Sequence, residues 1–274
     1  KLVTAYRDKK MVVVITGASS GLGEALAHAF YNEGSRVVLA ARRVEELERV
    51  KQNLEKPTLE PIVIKLDLGD TDHIADFVKQ VHEKCGKVDI LINNGGVSFR
   101  GSILDTGIDV DQRIMGINYF GSVALTKAFL PEMVRNKSGH IMFVSSVQGL
   151  IAIPDRAAYA ASKHALQAFG DSLRAEMHQH NVNVTVVSPG YVVTNISLNA
   201  LTGSGGNHGV MDKETAAGFT AEYVAQRMLD SIVDKKEELV VSQFLPNLAI
   251  FLRHFAPKVY FYFMIRRAKK TSID

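Results

Sequence analysis

Residues 11–30, MVVVITGASSGLGEALAHAF, decide the fold that this sequence predicts. Residues 12–16 are apolar or β-branched and predict a short buried strand, and the apolar spacing of residues 22–30 predicts a helix. Gly17, Gly21 and Gly23 let the intervening backbone approach a ligand closely, at the positive end of the helix where N–H groups are unpaired. Such a turn suits the pyrophosphate of a dinucleotide, although it also suits a tight turn whose glycines serve packing alone.

The composition favours one large α/β domain. The chain has 274 residues, close to the size at which a single hydrophobic core stops growing. The net charge is +3, from 32 Lys and Arg against 29 Asp and Glu, and the basic residues are scattered except at the two ends. We therefore expect no nucleic-acid partner. Cys85 is the only cysteine, which excludes a disulfide within the chain and a thiolate metal cluster, and no metal site is expected.

Strand and helix patterns alternate along the rest of the chain. Near-continuous apolar runs predict strands at 36–41, 62–66, 88–92, 140–145, 182–188 and 239–242. Helices are predicted at 44–54, 71–84, 109–135, 157–178 and 221–234, the second with Asp70 and Thr71 as N-cap candidates. This βαβ rhythm predicts an α/β fold, a single-domain, Rossmann-type doubly wound parallel sheet, after a basic lead-in at residues 1–10.

Two arginines indicate which dinucleotide binds. Arg42 and Arg43 follow the second predicted strand, where a dinucleotide fold places the adenosine ribose. An acidic residue there would bind the 2′-hydroxyl of NAD, whereas arginines pair with the 2′-phosphate of NADP. We therefore predict an NADP(H)-binding domain at residues 11–243. The alternative is a pair of solvated charges that lead into the next helix.

The pair most able to do chemistry is Tyr159 and Lys163, four residues apart on one face of a predicted helix. A phenol is a poor acid at neutral pH, but a neighbouring ammonium stabilises the phenolate and is expected to lower the pKa of Tyr159. The pair could then give a proton to a carbonyl oxygen or take one from an alcohol. Ser146, just beyond the fifth predicted strand, could hydrogen-bond the same oxygen.

Two later segments depart from the strand and helix rhythm. Residues 195–220 are rich in Gly, Asn, Ser and Thr, and we predict a mobile substrate lid there. Residues 244–274 form a predicted helical, aromatic C-terminal extension with a basic end, interrupted too often by Pro, Arg and Lys to span a membrane. This extension could lie on a membrane surface or line the entrance for a lipid-like substrate, or it could pack against the domain or a partner subunit.

Taken together, these motifs resemble the short-chain dehydrogenase/reductase family over about residues 12–242. The matching stretches are TGASSGLG at 16–23, DL at 67–68, NNGG at 93–96, NYFG at 118–121, SSVQG at 145–149, YAASK at 159–163 and PGYVVT at 189–194. The resemblance implies that Tyr159 is the acid–base residue and that Ser146 orients the substrate carbonyl. It also implies that Lys163 holds the nicotinamide ribose and that Asn118 belongs to a relay from Lys163 to solvent.

The resemblance and the two arginines together define the predicted cofactor site. Position 95 is glycine where the family usually has alanine. We expect the loss of this one methyl group to loosen the wall of the cofactor site slightly. The predicted cofactor-binding residues are Gly17, Ser19, Ser20, Gly21, Leu22, Gly23, Arg42, Arg43, Asp67, Leu68, Asn94, Gly95, Tyr159, Lys163, Pro189, Gly190, Val192 and Thr194.

Residues 118–133, 153–177 and 184–202 further resemble a membrane-associated group of that family, the dehydrogenase/reductase member 7B group, whose members usually carry an N-terminal membrane anchor. The resemblance implies association with the endoplasmic reticulum or peroxisome. It also implies a lipid-like substrate such as acyl- or alkyl-dihydroxyacetone phosphate. The helices at 109–135 and 157–178 resemble those that pair across dimers in the family, so a homodimer is also expected.

We predict an NADP(H)-dependent carbonyl reductase or alcohol dehydrogenase acting on a hydrophobic ketone or alcohol. A hydroxysteroid or retinoid dehydrogenase is an alternative with the same core. A non-catalytic NADP(H)-binding sensor or scaffold at a membrane is an alternative of another class.

Overall fold

The computed structural model describes residues 10–54 and 59–271, with only the backbone of residues 270 and 271; all but Lys10 of the predicted lead-in lies outside the described residues. Seven of the described strands form one sheet. They are β1 (Val12–Thr16), β2 (Arg36–Ala41), β3 (Ile62–Lys65), β4 (Ile90–Asn93), β6 (Gly139–Val144), β7 (Val182–Pro189) and β9 (Glu238–Val241). Two short strands, β5 (Phe99–Arg100) and β8 (Leu201–Thr202), pair apart from it. All of these pairings are parallel.

Helices cover both faces of the seven-stranded sheet, which confirms the predicted fold class. The described helices are α1 (Gly21–Asn32), α2 (Val44–Asn53), α3 (Ile74–Cys85), α4 (Ile108–Met115), α5 (Gly121–Asn136), α6 (Ala157–Met177), α7 (Lys213–Ala216), α8 (Ala221–Val233), α9 (Phe244–Phe255) and α10 (Pro257–Thr271). Leu26, Leu47 and Val224 bring α1, α2 and α8 into one buried cluster. Val81 and Phe129 bring α3 and α5 into a second cluster, which α6 also joins.

The strand order β3-β2-β1-β4-β6-β7-β9 has its switch point between β1 and β4. The chain winds outward from β1 through β2 to β3, and then returns to the other side of β1 with β4. Ligands of doubly wound sheets bind in the crevice at the carboxyl ends of the strands beside such a point. The turns after β1, β4, β6 and β7 all open at this edge, and each contributes residues to the predicted site.

The structure corrects two predicted helices. Residues 71–73 form a separate 3-10 turn before α3, and the Asp70 carboxylate bonds His73 Nδ1 at 2.7 Å rather than capping a helix. The helix predicted at 109–135 is divided into α4 and α5 by a π-helical turn at 116–120. Asn118 lies in this turn and hydrogen-bonds the backbone of Val97, and π turns of this kind are frequent at functional sites.

The segment at 195–220, predicted as a loop, contains both β8 and α7. The Leu201 amide donates to the Ser98 carbonyl oxygen at 2.9 Å, so the segment is joined to β5 by backbone hydrogen bonding. The loop prediction failed because the polar, glycine-rich composition hides a two-residue strand, which pairs with the distant β5 and bridges to Asn207 within the segment.

The C-terminal extension forms two helices, α9 and α10, as its apolar spacing predicts. The Tyr260 hydroxyl of α10 donates to the Ala152 carbonyl oxygen and thereby ties this helix to the loop before α6. Within residues 10–54 and 59–271, none of the helices combines the length and apolarity needed to cross a bilayer.

Candidate active site

The turn between β1 and α1 has the geometry of an anion site. Gly17 and Gly21 have φ values of +67° and +56°, in the left-handed region that glycine adopts without strain. A methyl group at Gly23 would overlap the Gly17 carbonyl oxygen. Ser20, the N-cap residue of α1, makes no side-chain capping hydrogen bond. The N–H groups at the positive end of the helix can therefore bind a ligand. These features fit the pyrophosphate of a dinucleotide.

Arg43 lies beside this turn. Its Nη2 donates hydrogen bonds to the Ser19 hydroxyl at 3.0 Å and the Ser20 hydroxyl at 3.1 Å. Arg42 and Arg43 are both exposed, and both line the same cavity as the glycine turn. The structure therefore places a cation at the point where the adenosine ribose of a dinucleotide is expected.

The turn after β4 forms one wall of the predicted cofactor site. Asn94 donates from Nδ2 to the Thr16 carbonyl oxygen at 2.9 Å, and the Gly95 amide donates to the Thr16 hydroxyl at 2.8 Å. An alanine methyl at Gly95 would lie 2.7 Å from Leu68 Cδ1. The expectation that glycine loosens this wall is therefore wrong, because Leu68 fills the space. Asp67 lines the same wall, and its Oδ1 accepts from the Gly69 amide.

The turn after β7 closes the opposite end of the predicted cofactor site. The Gly190 amide donates to the Val241 carbonyl oxygen at 2.8 Å, which fixes the turn to β9. A methyl group at Gly21 would lie 2.9 Å from Thr194 Cγ2, so this turn reaches the glycine turn after β1. Pro189 and Val192 line the cavity between them.

Ser146, Tyr159 and Lys163 meet at the middle of the crevice. Ser146 follows β6 and accepts a hydrogen bond from the Gln148 amide at 3.1 Å, while Tyr159 and Lys163 lie on the first turns of α6. All three side chains are buried and line one cavity. The Lys163 ammonium donates to the Val144 carbonyl oxygen at 2.8 Å and lies 5.7 Å from the centre of the Tyr159 ring.

Asn118 lies close to this group without bonding Lys163. Its side-chain amide bonds the amide and carbonyl of Val97 and the Ser162 hydroxyl, at 2.8, 2.9 and 3.0 Å. A methyl carbon at Gly96 would lie 2.9 Å from Asn118 Oδ1 and 3.6 Å from Lys163 Nζ. The two residues of the predicted relay therefore both border the space that a side chain at position 96 would fill.

The electrostatics differ from the prediction for Tyr159. Burial raises the pKa of Tyr159, against a hydrogen bond with Ser146 and the charge of Arg100, which lower it. Burial also lowers the pKa of Lys163 to about 8. Lys163 is therefore not among the groups that lower the pKa of Tyr159, contrary to the prediction. Its ammonium is directed to Val144 and is itself desolvated.

One cavity of about 1380 Å³ contains both the predicted cofactor site and Tyr159. It exceeds the roughly 300–1,000 Å³ of ordinary small-molecule sites, so it has room for a dinucleotide and a second molecule. Helices α9 and α10 form part of its wall, a role that the sequence left open. The apolar residues of these helices that line the cavity include Leu245, Leu248, Leu252, Phe263 and Met264, and Val147, Ile151, Ile153 and Leu201 line it from other elements.

One set of charged residues beside the site, Arg100, Arg156 and Asp212, was not predicted from the sequence. Asp212 of the 195–220 segment pairs with Arg100 of β5 and lies 3.5 Å from Arg156, the residue before α6. These residues are far apart in the chain and their spacing indicates no shared site, so only the fold brings them together.

The site and the fold are those of a dinucleotide-dependent oxidoreductase, and the chain belongs to the short-chain dehydrogenase/reductase family. The family model for short chain dehydrogenases matches residues 11–203. A dehydrogenase/reductase SDR family protein 7-like of Drosophila melanogaster is 55% identical over 95% of this chain and 81% of its own length. The SDR family member 7B of Xenopus tropicalis is 51% identical over 94% of this chain and 86% of its own length.

Solved structures show the same architecture. A metagenomic short-chain oxidoreductase in complex with NADP is 29% identical, with a TM-score of 0.70 over 86% of this chain and 98% of that chain. A short chain dehydrogenase/reductase from Burkholderia phymatum in complex with NAD has a TM-score of 0.79 over 91% of this chain and 94% of that chain, at 24% identity. The chain is thus an oxidoreductase with an NAD(P)-binding fold.

Proposed function

We propose that the chain is an NADP(H)-dependent carbonyl reductase or alcohol dehydrogenase acting on a hydrophobic, lipid-like substrate. The observation that carries this proposal is the placement of Tyr159 and Ser146 in one cavity with the glycine turn and Arg43. A non-catalytic sensor would need only the cofactor end of this cavity.

The chain's own residues would bind the substrate and move the proton. NADPH, when bound, supplies the hydride that reduces the carbonyl carbon. Ser146 and Tyr159 would hold the carbonyl oxygen, and Tyr159 would give it a proton in reduction or take one from the alcohol in oxidation. The Lys163 ammonium, with a pKa of about 8, would hold the nicotinamide ribose and favour the phenolate.

The choice of NADP(H) over NAD(H) is supported by Arg43. Its bonds to Ser19 and Ser20 hold a guanidinium beside the pyrophosphate turn, where a 2′-phosphate would pair with it. The metagenomic relative in complex with NADP has the same fold over 86% of this chain.

The part of the cavity wall that α9 and α10 form supports a lipid-like substrate. It is mostly apolar, and Arg266 and Arg267 of α10 also line the cavity. An apolar wall with basic residues suits a ketone that carries both a hydrocarbon chain and an anionic group. Acyl- or alkyl-dihydroxyacetone phosphate has both features, whereas a steroid or retinoid lacks the anionic group.

Purified protein tests this proposal with a substrate panel. NADPH oxidation is measured with 1-hexadecyl-dihydroxyacetone phosphate, its dephosphorylated form, a 3-ketosteroid and retinal, for the wild type and Tyr159→Phe. We expect NADPH to bind both proteins and turnover to fall by about 10²–10⁴-fold in the variant. Turnover retained by Tyr159→Phe would refute the mechanism. Preference for the steroid or retinal would refute the phosphorylated substrate, and no turnover with any carbonyl would favour a sensor.

We also propose that α9 and α10 contact an anionic membrane surface. No side chain of α9 is buried, and large apolar residues of both helices are exposed. Residues 244–270 contain six Lys and Arg and no Asp or Glu. An apolar face beside a segment of net positive charge suits the boundary of an anionic bilayer better than ordinary solvent. The exposed apolar residues are Phe244, Leu245, Leu248, Phe251, Phe255, Val259, Phe261, Tyr262, Phe263 and Ile265.

Vesicle flotation tests this surface. Wild-type protein is expected to float with phosphatidylserine-containing vesicles and much less with pure phosphatidylcholine vesicles. Phe251→Ser with Phe255→Ser should lower the bound fraction. A matched control, Ile103→Ser with Leu104→Ser, alters exposed apolar residues elsewhere and should leave binding unchanged. Equal binding by all three proteins would contradict the proposal.

A further inference from the structure

A cluster of four ionisable residues lies beside the proposed catalytic group. Asp212 Oδ2 accepts hydrogen bonds from Arg100 Nε at 3.0 Å and from Arg100 Nη2. Arg156 Nη2 lies 3.5 Å from the same oxygen, and His208 Nε2 lies 3.8 Å from Asp212 Oδ1. We call Arg100, Arg156, His208 and Asp212 the Asp212 cluster.

The cluster is held rigidly and is poorly solvated. The side chains of Arg100, Arg156 and Asp212 are only 10%, 15% and 16% exposed. Arg100 Nη1 also donates to the Ser98 hydroxyl at 2.6 Å and the Phe99 carbonyl oxygen at 2.7 Å, so its guanidinium is fixed in one orientation. Two guanidinium groups share one carboxylate, which leaves the cluster positively charged.

The cluster adjoins Tyr159. Phe99, the neighbour of Arg100 on β5, belongs to the same small buried cluster as Tyr159 and Leu201. The Gly101 amide donates to the Asp155 carbonyl oxygen at 3.2 Å, so the end of β5 meets the chain just before α6. Arg100 and Tyr159 line one cavity.

Asp212 reaches this position from the 195–220 segment, as the N-cap residue of α7. The segment lies along β5 through β8 and contacts α10 through Glu214, whose carboxylate is 3.6 Å from Arg267. Asp212 can therefore contact Arg100 only while the segment lies across the cavity.

We propose that Arg100 is a positioning residue whose charge acts on the Tyr159 hydroxyl, and that Asp212 fixes Arg100 there only when the 195–220 segment is closed. The inference rests on the proposed function, because it assigns a role toward Tyr159 as the proton donor. Closure of the segment over a substrate would then also fix the charge of Arg100 beside the hydroxyl that transfers the proton.

Electrostatics support this geometry. Burial raises the pKa of Tyr159, and the charge of Arg100 opposes that increase. Asp212 stays ionised, because the bond from Arg100 and the charges of Arg100 and Arg156 outweigh burial and lower the pKa of Asp212. Helix α4, which packs against Tyr159, carries Asp109, Asp111 and Arg113. The other charged groups that line the cavity are Arg42, Arg43, Asp67, Lys163, Glu214, Arg266 and Arg267.

The first experiment removes the charge of Arg100 and follows the titration of Tyr159. The pH profile of kcat is measured for reduction of 1-phenyl-1,2-propanedione by NADPH, and tyrosinate absorbance is titrated with NADP⁺ bound, with Tyr159→Phe as the blank. In Arg100→Met, Tyr159 should lose its proton about half a pH unit higher, so the descending limb moves to higher pH. Arg100→Lys, which keeps the charge, should restore the wild-type limb.

A double variant separates this effect from simple destabilisation. In Arg100→Met alone, Asp212 keeps its negative charge but loses its closest positive partner, which should destabilise the fold. The double variant, Arg100→Met with Asp212→Leu, replaces both groups by apolar side chains of similar size. The double variant should unfold at a denaturant concentration closer to that of the wild type and still show the shifted limb. A limb that stays in place in both variants, or that Arg100→Lys fails to restore, would overturn the role of Arg100.

The second experiment tests the link to closure through trypsin cleavage after Lys213. Asp212→Asn keeps the size of the side chain and removes its charge. Because Asp212 adjoins the cleaved bond, each rate is divided by that of a free peptide of residues 207–220 with the same residue at position 212, and this ratio should be about tenfold higher than in the wild type. Asp171→Asn, which breaks the exposed pair with Arg174 farther along α6, is the matched control and should leave this ratio unchanged. Equal ratios in all three proteins would overturn the link to closure.

These outcomes are distinct from failure of the proposed function. Turnover retained by Tyr159→Phe would refute Tyr159 as the proton donor whatever the Arg100 variants do. The tyrosinate titration needs no turnover, so it decides the role of Arg100 even if the diketone is not reduced.

Discussion

Lys163 donates a 2.8 Å hydrogen bond from its ammonium to the carbonyl oxygen of Val144, the last residue of β6. This bond anchors the first turns of α6 to the sheet edge at which Ser146 begins its turn. Because Lys163 is buried, its pKa falls to about 8, so the ammonium loses its proton only slightly above neutral pH.

Lys163 should make stability depend on pH in the alkaline range. From about pH 8 to about pH 10.5 the folded lysine is neutral while the unfolded one is still protonated, so the unfolding free energy rises with pH across this window. Lys163→Met should lack this rise. Urea unfolding of both proteins from about pH 7 to about pH 10 measures the difference. Parallel curves would show that Lys163 titrates at its ordinary value.

Arg43 and Arg42 should differ in their effect on cofactor choice. Both side chains are exposed, but Arg43 is held by hydrogen bonds to Ser19 and Ser20 at the pyrophosphate turn. Arg43→Ala should weaken NADPH binding by about tenfold or more and NADH binding little, because only NADPH has the 2′-phosphate. Arg42→Ala should have a smaller effect. Dissociation constants of both cofactors test this, and equal losses for NADPH and NADH would argue against the 2′-phosphate contact.

His140 should contribute to loss of stability in acid. It is buried between β6 and β7, its Nε2 lies 2.7 Å from the Thr185 hydroxyl, and burial lowers its pKa to about 4. Between about pH 6.5 and about pH 4 the unfolded chain binds a proton that the folded protein excludes, so the unfolding free energy decreases as pH falls. His140→Gln should lose less stability across this interval, as measured by urea unfolding at each pH. A variant with the same acid dependence as the wild type would contradict this account.

Gly23→Ala should impair cofactor binding. A methyl group there would overlap the Gly17 carbonyl oxygen, which is backbone and has little freedom to move. We expect NADPH affinity to fall by about tenfold or more, together with thermal stability. Gly116→Ala is the control, because a methyl group at Gly116 meets no neighbour within 4 Å. Calorimetric titration measures the NADPH affinity of both variants, and thermal unfolding measures their stability. Wild-type NADPH affinity in Gly23→Ala would show that the turn has more room than its geometry indicates.

Local patterns were sufficient for much of this protein. Continuous apolar runs predicted the strands to within one or two residues, because strands covered on both faces have little tolerance for polar side chains. The glycine turn and the spacing of Tyr159 and Lys163 were also readable, since each depends on residues only a few positions apart. The two-residue strands β5 and β8 were not, because they pair with each other although they lie about a hundred residues apart in the chain.

The sequence by itself determined the doubly wound sheet, the dinucleotide turn and the residues available for proton transfer. Only the tertiary structure decided their electrostatics, because burial and distant charges set a pKa and neither is encoded locally. It directed Lys163 to Val144, brought Arg100 and Asp212 together beside Tyr159, and turned part of α9 and α10 toward the cavity. Those contacts join residues from different parts of the chain, and they exist only once the sheet has formed.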